Sequence, residues 1–176
     1  FISSSNVFDF FTNFPSYEND KTFSNSLFGR VKINIENKIL RMKTKNWVIL
    51  RSAMIFDKGS TRLKNLINDI KQSIPIEIFP NLIININSTD VFAKQIHYII
   101  SRKLKGIFHH GSKDLINHDE FIFSIIKNRD LKQVNYKFVY TTNENRYLAL
   151  FSNTNLFPKH LQFSYEDVLL EMIEKN

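Results

Sequence analysis

Apolar residues along this chain switch repeatedly between two periods. Leu27, Val31, Ile35, Ile39 and Leu40 recur at helical spacing, and the pattern predicts a helix over residues 22–43. Lys32 and Glu36 stand one turn apart in it, the spacing of an i,i+4 ion pair. Trp47-Val48-Ile49-Leu50 is an unbroken apolar run. Such a run predicts a strand covered on both faces in a parallel sheet, over Trp47 to Ala53. Thr61 to Gln72 returns to the helical period through Leu63, Leu66, Ile67 and Ile70.

Short strands are predicted at Ile76–Phe79, Leu82–Ile84, Gly106–His109 and Val134–Tyr140. Ser88 caps a helix running to Arg102, with Phe92, Ile96, Ile99 and Ile100 as its stripe. Asn117-x-x-Glu120 reads as a capping box that opens a helix to Asn128. Ser164-x-x-Asp167 opens a last helix to about Glu174 in the same way. Phe1 to Ser4 reads as the end of a strand, so the sheet is expected to be entered part-way through. No repeat or linker divides the chain. The expected fold class is α/β, with residues 1–176 as a single incomplete domain.

Composition narrows the function classes. The 176 residues can bury a real core. Without cysteine there are no disulfides, thiolate metal sites or cysteine nucleophiles, and a reducing, cytoplasmic setting fits. The formal charge of +7 comes from scattered lysines rather than a concentrated basic stripe, so no nucleic-acid partner is expected. A basic nucleic-acid-binding domain has only that net charge in its favour. No apolar run is long enough to span a bilayer, and no membrane partner or signal segment is expected. Gly29, Gly59, Gly106 and Gly111 lie too far apart for a Gly-rich phosphate loop.

The candidate chemistry sits early in the chain. Ser3-Ser4-Ser5-Asn6-Val7-Phe8-Asp9 ends the first strand, and Phe28-Gly29-Arg30-Val31-Lys32, followed by Glu36, lies on the first helix. Phe28 and Lys32 share a helix face. Leu50-Arg51-Ser52-Ala53-Met54-Ile55-Phe56 ends the buried strand. Gly106-Ile107-Phe108-His109 and Asp119-Glu120-Phe121 follow. In this order the segments resemble the C-terminal portion of an extended short-chain dehydrogenase/reductase. They are most similar to the dTDP-4-dehydrorhamnose reductase-like sugar-nucleotide-binding proteins.

The resemblance implies the C-terminal part of a Rossmann-like parallel sheet with a small α/β substrate-binding lobe. It implies catalytic positions at Ser4, which would orient a keto group, at Phe28, where the family carries tyrosine, and at Lys32. It implies cofactor contacts from Lys32, Ser52 and Ala53, and substrate contacts from Ser5, Arg51 and Met54. It implies NAD(P) as cofactor and a nucleotide sugar as ligand, with no metal. Phenylalanine keeps the ring and loses the proton donor, a contribution typically worth about 10²–10⁴-fold in rate. Lacking a Gly-rich turn, the chain alone should bind the dinucleotide weakly or not at all. A non-catalytic relative that binds a nucleotide or a protein partner is the rival reading.

Each candidate also has a plainer role. Ser4 suits a turn cap, Lys32 a solvated partner for Glu36, Phe28 a core or cleft-lining aromatic and Arg51 a buried structural partner. Tyr17, the nearest upstream phenol, lies in an irregular stretch and is a poor substitute for the missing one. His109-His110 and His118 lack an acidic residue spaced to complete a metal site and read as structural or surface histidines. Asp119-Glu120 fits helix capping better than paired acid chemistry.

Overall fold

The computed structural model describes residues 1–10, 13–153 and 156–173. Glu174, the expected end of the last helix, lies outside them. The chain runs β1 (Ile2–Ser4), α1 (Leu27–Leu40), β2 (Val48–Ser52), β3 (Met54–Ile55), α2 (Thr61–Lys71), β4 (Ile76–Ile78), β5 (Leu82–Ile84), β6 (Ile86–Asn87) and α3 (Thr89–Ser101). It continues with β7 (Gly106–His110), β8 (Ile116–Asn117), α4 (His118–Asn128), β9 (Tyr136–Phe138), β10 (Arg146–Leu148) and α5 (Tyr165–Ile173).

The principal sheet has the order β1-β2-β7, all parallel. The apolar run therefore forms its central strand, buried from Ile49 to Ser52. Ser3, Arg51 and His109 are in register across this sheet, as are Ser4, Ser52 and His110. Alternation along a strand puts the two rows on opposite faces. On the Ser4 row's face, Leu50 and Phe108 pack against Phe92 and Ile99 of α3. On the other, α1 reaches Arg51 through Glu36.

The remaining strands form a lobe of small sheets: β10-β5-β8, β3-β6 and β4-β9. Only the β5–β8 pairing is antiparallel among the described residues. The larger core, with Phe56, Leu63, Ile84, Phe121 and Val168, lies within this lobe. No sequence pattern predicts β10. It is short and half-buried, and it forms because Leu82–Ile84 offers it a parallel edge.

Capping follows local chemistry. Ser26, Ser60 and Ser88 each accept a backbone N–H of the first turn of α1, α2 and α3. Ser164 and Asp167 bond reciprocally before α5, so that capping box forms. The one expected at Asn117 does not. Asn117 is the N-cap residue but makes no side-chain cap bond, and the Asp119 carboxylate takes the Glu120 N–H instead.

The first helix differs most from expectation. It is shorter than residues 22–43, and its apolar stripe faces outward. Leu27 is 71% exposed and Val31 49%. The side it packs inward carries Gly29 and Glu36. A Cβ on Gly29 would collide with the Asn6 carbonyl and the Ser24 hydroxyl, so glycine lets the helix start against the turn that follows β1. Among the described residues no helix is long and apolar enough to cross a membrane.

Candidate functional site

β1, β2 and β7 end together, and the residues at their C-terminal ends meet α1 and the loops that follow. Arg51 organises this corner. It is 2% exposed and ion-paired with the equally buried Glu36, Nη2 to Oε2 at 2.7 Å. Its Nε also faces both carboxylate oxygens, and Nη1 donates to the Glu18 carbonyl at 3.1 Å and to His109 Nε2 at 3.3 Å. The Phe8 ring lies 5.0 Å from the guanidinium. Ser3 donates its hydroxyl to the remaining side of Glu36. One buried cation thus ties α1, β1, β2, β7 and the loop at Glu18 together.

Glu36 therefore does not pair with Lys32, as the i,i+4 spacing suggested. A carboxylate inside the protein takes the partner that is buried with it, and that partner is Arg51. Lys32 turns the other way. Its Nζ donates to the Ile2 carbonyl at 2.9 Å and lies 5.0 Å from the Phe1 ring and 5.4 Å from the Phe28 ring. Phe28 is 54% exposed, so it is not a core aromatic. A phenol at this position would lie beside the ammonium, the pairing that lowers a phenol's pKa.

The other candidates are held within the fold. Ser4 donates to Asn6 Oδ1 and accepts the Asn6 N–H, which makes it the cap of a short 3-10 turn. Ser5 is buried in that turn. Ser52 donates to the Ala53 carbonyl and accepts from Asn87, and the Ala53 N–H goes to the His110 carbonyl. Met54 packs on the lobe's core. The structure brings Phe28 and Lys32 together and joins Arg51 to their helix. No direct hydrogen bond links Ser4 to Lys32 among the described contacts. Of the expected cofactor contacts, the Lys32 ammonium lies against the Ile2 carbonyl and the Phe1 and Phe28 rings. Ser52 and Ala53 bond within the fold, to each other and to Asn87 and His110.

Three histidines are buried and held neutral. Burial pushes His109 and His118 down to about 4 and His110 to about 3. Nearby Arg51 adds to the effect at His109, while Glu18 opposes it. Burial would raise Glu18, but bonds from Ser152 and Asn153 outweigh it and lower its pKa. Of the two expected roles, structural or surface, these three take the structural one. Their signal was present: two sit in an apolar strand and one at the start of a helix with an apolar face. Among the described residues no three acidic, histidine or cysteine side chains are grouped to hold a metal.

Two cavities open near this corner. One, of about 240 Å³, lies beyond β7 and is lined by Tyr17, Gln95, His109, Phe151 and Phe157, with Lys113 also on its wall. The other, of about 460 Å³, lies at the start of α1 and is lined by Asp9, Asn25, Ser26, Thr142 and Arg146. Arg146 and Asp9 form an ion pair there. Neither cavity is announced by the sequence, because their walls join segments more than a hundred residues apart.

The RmlD substrate binding domain family matches residues 1–161. The chain belongs to that family. No curated protein matches this RmlD-type chain in sequence. Among solved structures it is similar to a dTDP-4-dehydrorhamnose reductase from Bacillus anthracis in complex with NADP, with a TM-score of 0.80 and 22% identity. It is similar to a dTDP-4-dehydrorhamnose reductase from Clostridium acetobutylicum, with a TM-score of 0.78 and 21% identity. Each match covers 98% of this chain and 63% of the other. A third match, at TM-score 0.73 and 16% identity, is a tyrosine-to-phenylalanine mutant of UDP-glucuronic acid 4-epimerase from Bacillus cereus, in complex with a UDP-4-deoxy-4-fluoro-glucuronic acid and NAD. It covers 98% of this chain and 59% of the mutant. These likenesses show that the RmlD-type chain has the Rossmann-like α/β fold, and that it spans less than two thirds of the length of these proteins.

Proposed function

We propose that this chain is the sugar-nucleotide-binding portion of an NAD(P)-dependent, dTDP-4-dehydrorhamnose reductase-like protein, impaired in proton transfer at Phe28. The observation that carries the reading is the family match together with Phe28 one turn before Lys32, their ring and ammonium 5.4 Å apart. In this reading α1 is the catalytic helix and Lys32 its cation. The group that would protonate a developing alkoxide is an unsubstituted ring. Ser4 is proposed to orient the keto group, and Arg51 to act as a positioning residue that holds α1 on β2. The cavity at the start of α1, two residues before Phe28, is the proposed ligand entrance.

NAD(P) would supply hydride. Here Lys32 would meet its ribose, while the pyrophosphate needs a Gly-rich turn outside these residues. The protein is proposed to lie in the cytoplasm. The Bacillus cereus mutant, crystallised with a nucleotide sugar analogue and NAD, supports the idea that loss of a phenol is compatible with binding.

The second reading is a non-catalytic binding relative, favoured by the same Phe28. One experiment separates the two. The chain is fused behind the part of the Bacillus anthracis reductase that it does not match, and NADPH oxidation is followed with nucleotide-sugar ketones. Phe28→Tyr should raise the rate about 10²–10⁴-fold. Equal rates well above background would assign the proton to another group. Equal rates at background, with both ligands bound, would establish the non-catalytic relative.

A further inference from the structure

β9 is an edge strand in the small lobe, far along the chain from the corner described above. Its only hydrogen-bonded neighbour among the described residues is β4, in parallel register. Ile76 donates to the Asn135 carbonyl at 3.0 Å, and Val139 donates to the Ile78 carbonyl at 2.8 Å. Backbone groups alternate in direction along a strand. Asn135, Lys137 and Val139 therefore face β4, and Tyr136, Phe138 and Tyr140 turn their N–H and C=O groups to the open side.

Free edges are commonly guarded by a charge, a proline or a bulge. Here the side chains that share one face along the edge are all aromatic, and each of Tyr136, Phe138 and Tyr140 is about half exposed or more. Phe123 of α4 lies beside them, its ring centroid 5.5 Å from that of Tyr136 and 6.5 Å from that of Phe138. The charge on this strand is already answered. Lys137, on the opposite face, pairs with Glu77 of β4 at 2.9 Å.

We propose that β9 pairs with β9 of a second copy of this chain, antiparallel and about a two-fold axis at Phe138, so that two β4-β9 sheets join into one. The occupant is argued from self-complementarity. With Phe138 opposite itself, Tyr136 falls opposite Tyr140 of the second copy, and each pair exchanges its free N–H and C=O groups. Every cross-strand pair on that face is then aromatic with aromatic, a favourable combination. On the other face Lys137 falls opposite Val139 of the second copy, so like charges do not meet. An axis at Lys137 would instead set two ammonium groups face to face. An axis at Tyr136 would put Phe138 opposite Val134 and Tyr140 opposite Lys132. The contact uses a few residues from each chain and belongs with small, transient interfaces. It is independent of the function proposed above.

Sedimentation of the chain from about 10 µM to about 1 mM reads the association, and a monomer–dimer equilibrium is expected within that span. Amide hydrogen exchange is measured on the same samples. Tyr136, Phe138 and Tyr140 should exchange fast in the dilute chain and about 10-fold more slowly in the concentrated one, while Val139, bonded to Ile78, changes little. Phe138→Lys places two ammonium groups on the axis and should abolish both effects. Phe138→Glu alone should do the same. An equimolar mixture of the two variants should associate again, because opposite charges then face each other, a rescue that misfolded variants could not give. The register is read with thiols, since the chain has no cysteine of its own. Tyr136→Cys mixed with Tyr140→Cys should form a disulfide-linked dimer on oxidation, and neither variant alone should. A chain that stays monomeric at about 1 mM overturns the proposal. So does an association that survives Phe138→Lys, which would use another surface, or a mixture of folded Lys and Glu variants that does not associate. Disulfide formation by either cysteine variant alone would move the axis and overturn the register. Tyr136 and Phe138 amides already protected in the dilute monomer would mean that the chain covers its own edge, and would overturn the pairing.

Discussion

Glu36 and Arg51 meet at 2.7 Å with both side chains almost wholly buried, and their pairing sets how α1 lies on the sheet. Neither charge can reach water if the other is removed. Breaking such a pair typically costs about 3–5 kcal/mol, because a buried charge is left without compensation. Glu36→Ala should therefore destabilise the chain by about that amount, read as a shift in the urea midpoint with an unchanged slope. Replacing both residues with methionine should cost less than Glu36→Ala alone. A double variant less stable than either single variant would contradict this account of the pair.

Gly29 is a second point of contact between α1 and the turn after β1. An added methyl meets the Asn6 carbonyl, which cannot move without disturbing the cap that Ser4 forms. Gly29→Ala should cost about 1–3 kcal/mol, as overpacking commonly does, despite alanine's better helix propensity. Thermal unfolding of the variant checks the sign. A higher melting temperature would show that the helix has room to retreat.

Stability should fall with acid in a particular window. His109 and His118 are depressed to about 4, and His110 to about 3, from an ordinary 6.5, each chiefly by burial. Below pH 6.5 the unfolded chain binds protons that the folded chain refuses. Folding free energy should then drop by about 1.4 kcal/mol per pH unit for each histidine, or about 4 for the three, until the folded pKa values are reached. Above pH 6.5 these groups contribute no slope. Denaturation at pH 7.5, 6.0 and 5.0 measures it. Equal stability at pH 7.5 and 5.0 would show that the histidines open to water.

Much of the fold was legible where one element decides its own state. The run Trp47–Leu50 can be buried only between strands, and β2 is the centre of the parallel sheet. The stripe Leu63–Ile70 and the Ser88 cap gave α2 and α3 nearly to their ends. α1 was misjudged because its period says only that an apolar side exists. Gly29 and Glu36, which lie off that stripe, choose the side that packs. Glu36 could have been found from Arg51: an arginine continuing a buried apolar strand needs a carboxylate, and Glu36 is the acidic residue of the preceding helix. β10 and the two cavities depend on distant segments meeting, and nothing local announces them.

The position of Phe28 beside Lys32 was legible from spacing alone, and the structure places the two as that spacing implies. What Lys32 does there was not. Its bond to the Ile2 carbonyl joins α1 to β1, a meeting of two elements that helix spacing does not announce.

The most direct test of the central claim is a calorimetric titration of this chain with dTDP-glucose, with NADPH titrated in parallel. The account predicts saturable binding of the nucleotide sugar with a Kd below 1 mM, stronger than about −4.1 kcal/mol, and no saturable NADPH binding in that range. Submillimolar NADPH binding would contradict the proposal that the dinucleotide needs a Gly-rich turn that these residues lack. The absence of nucleotide-sugar binding would contradict the central claim itself.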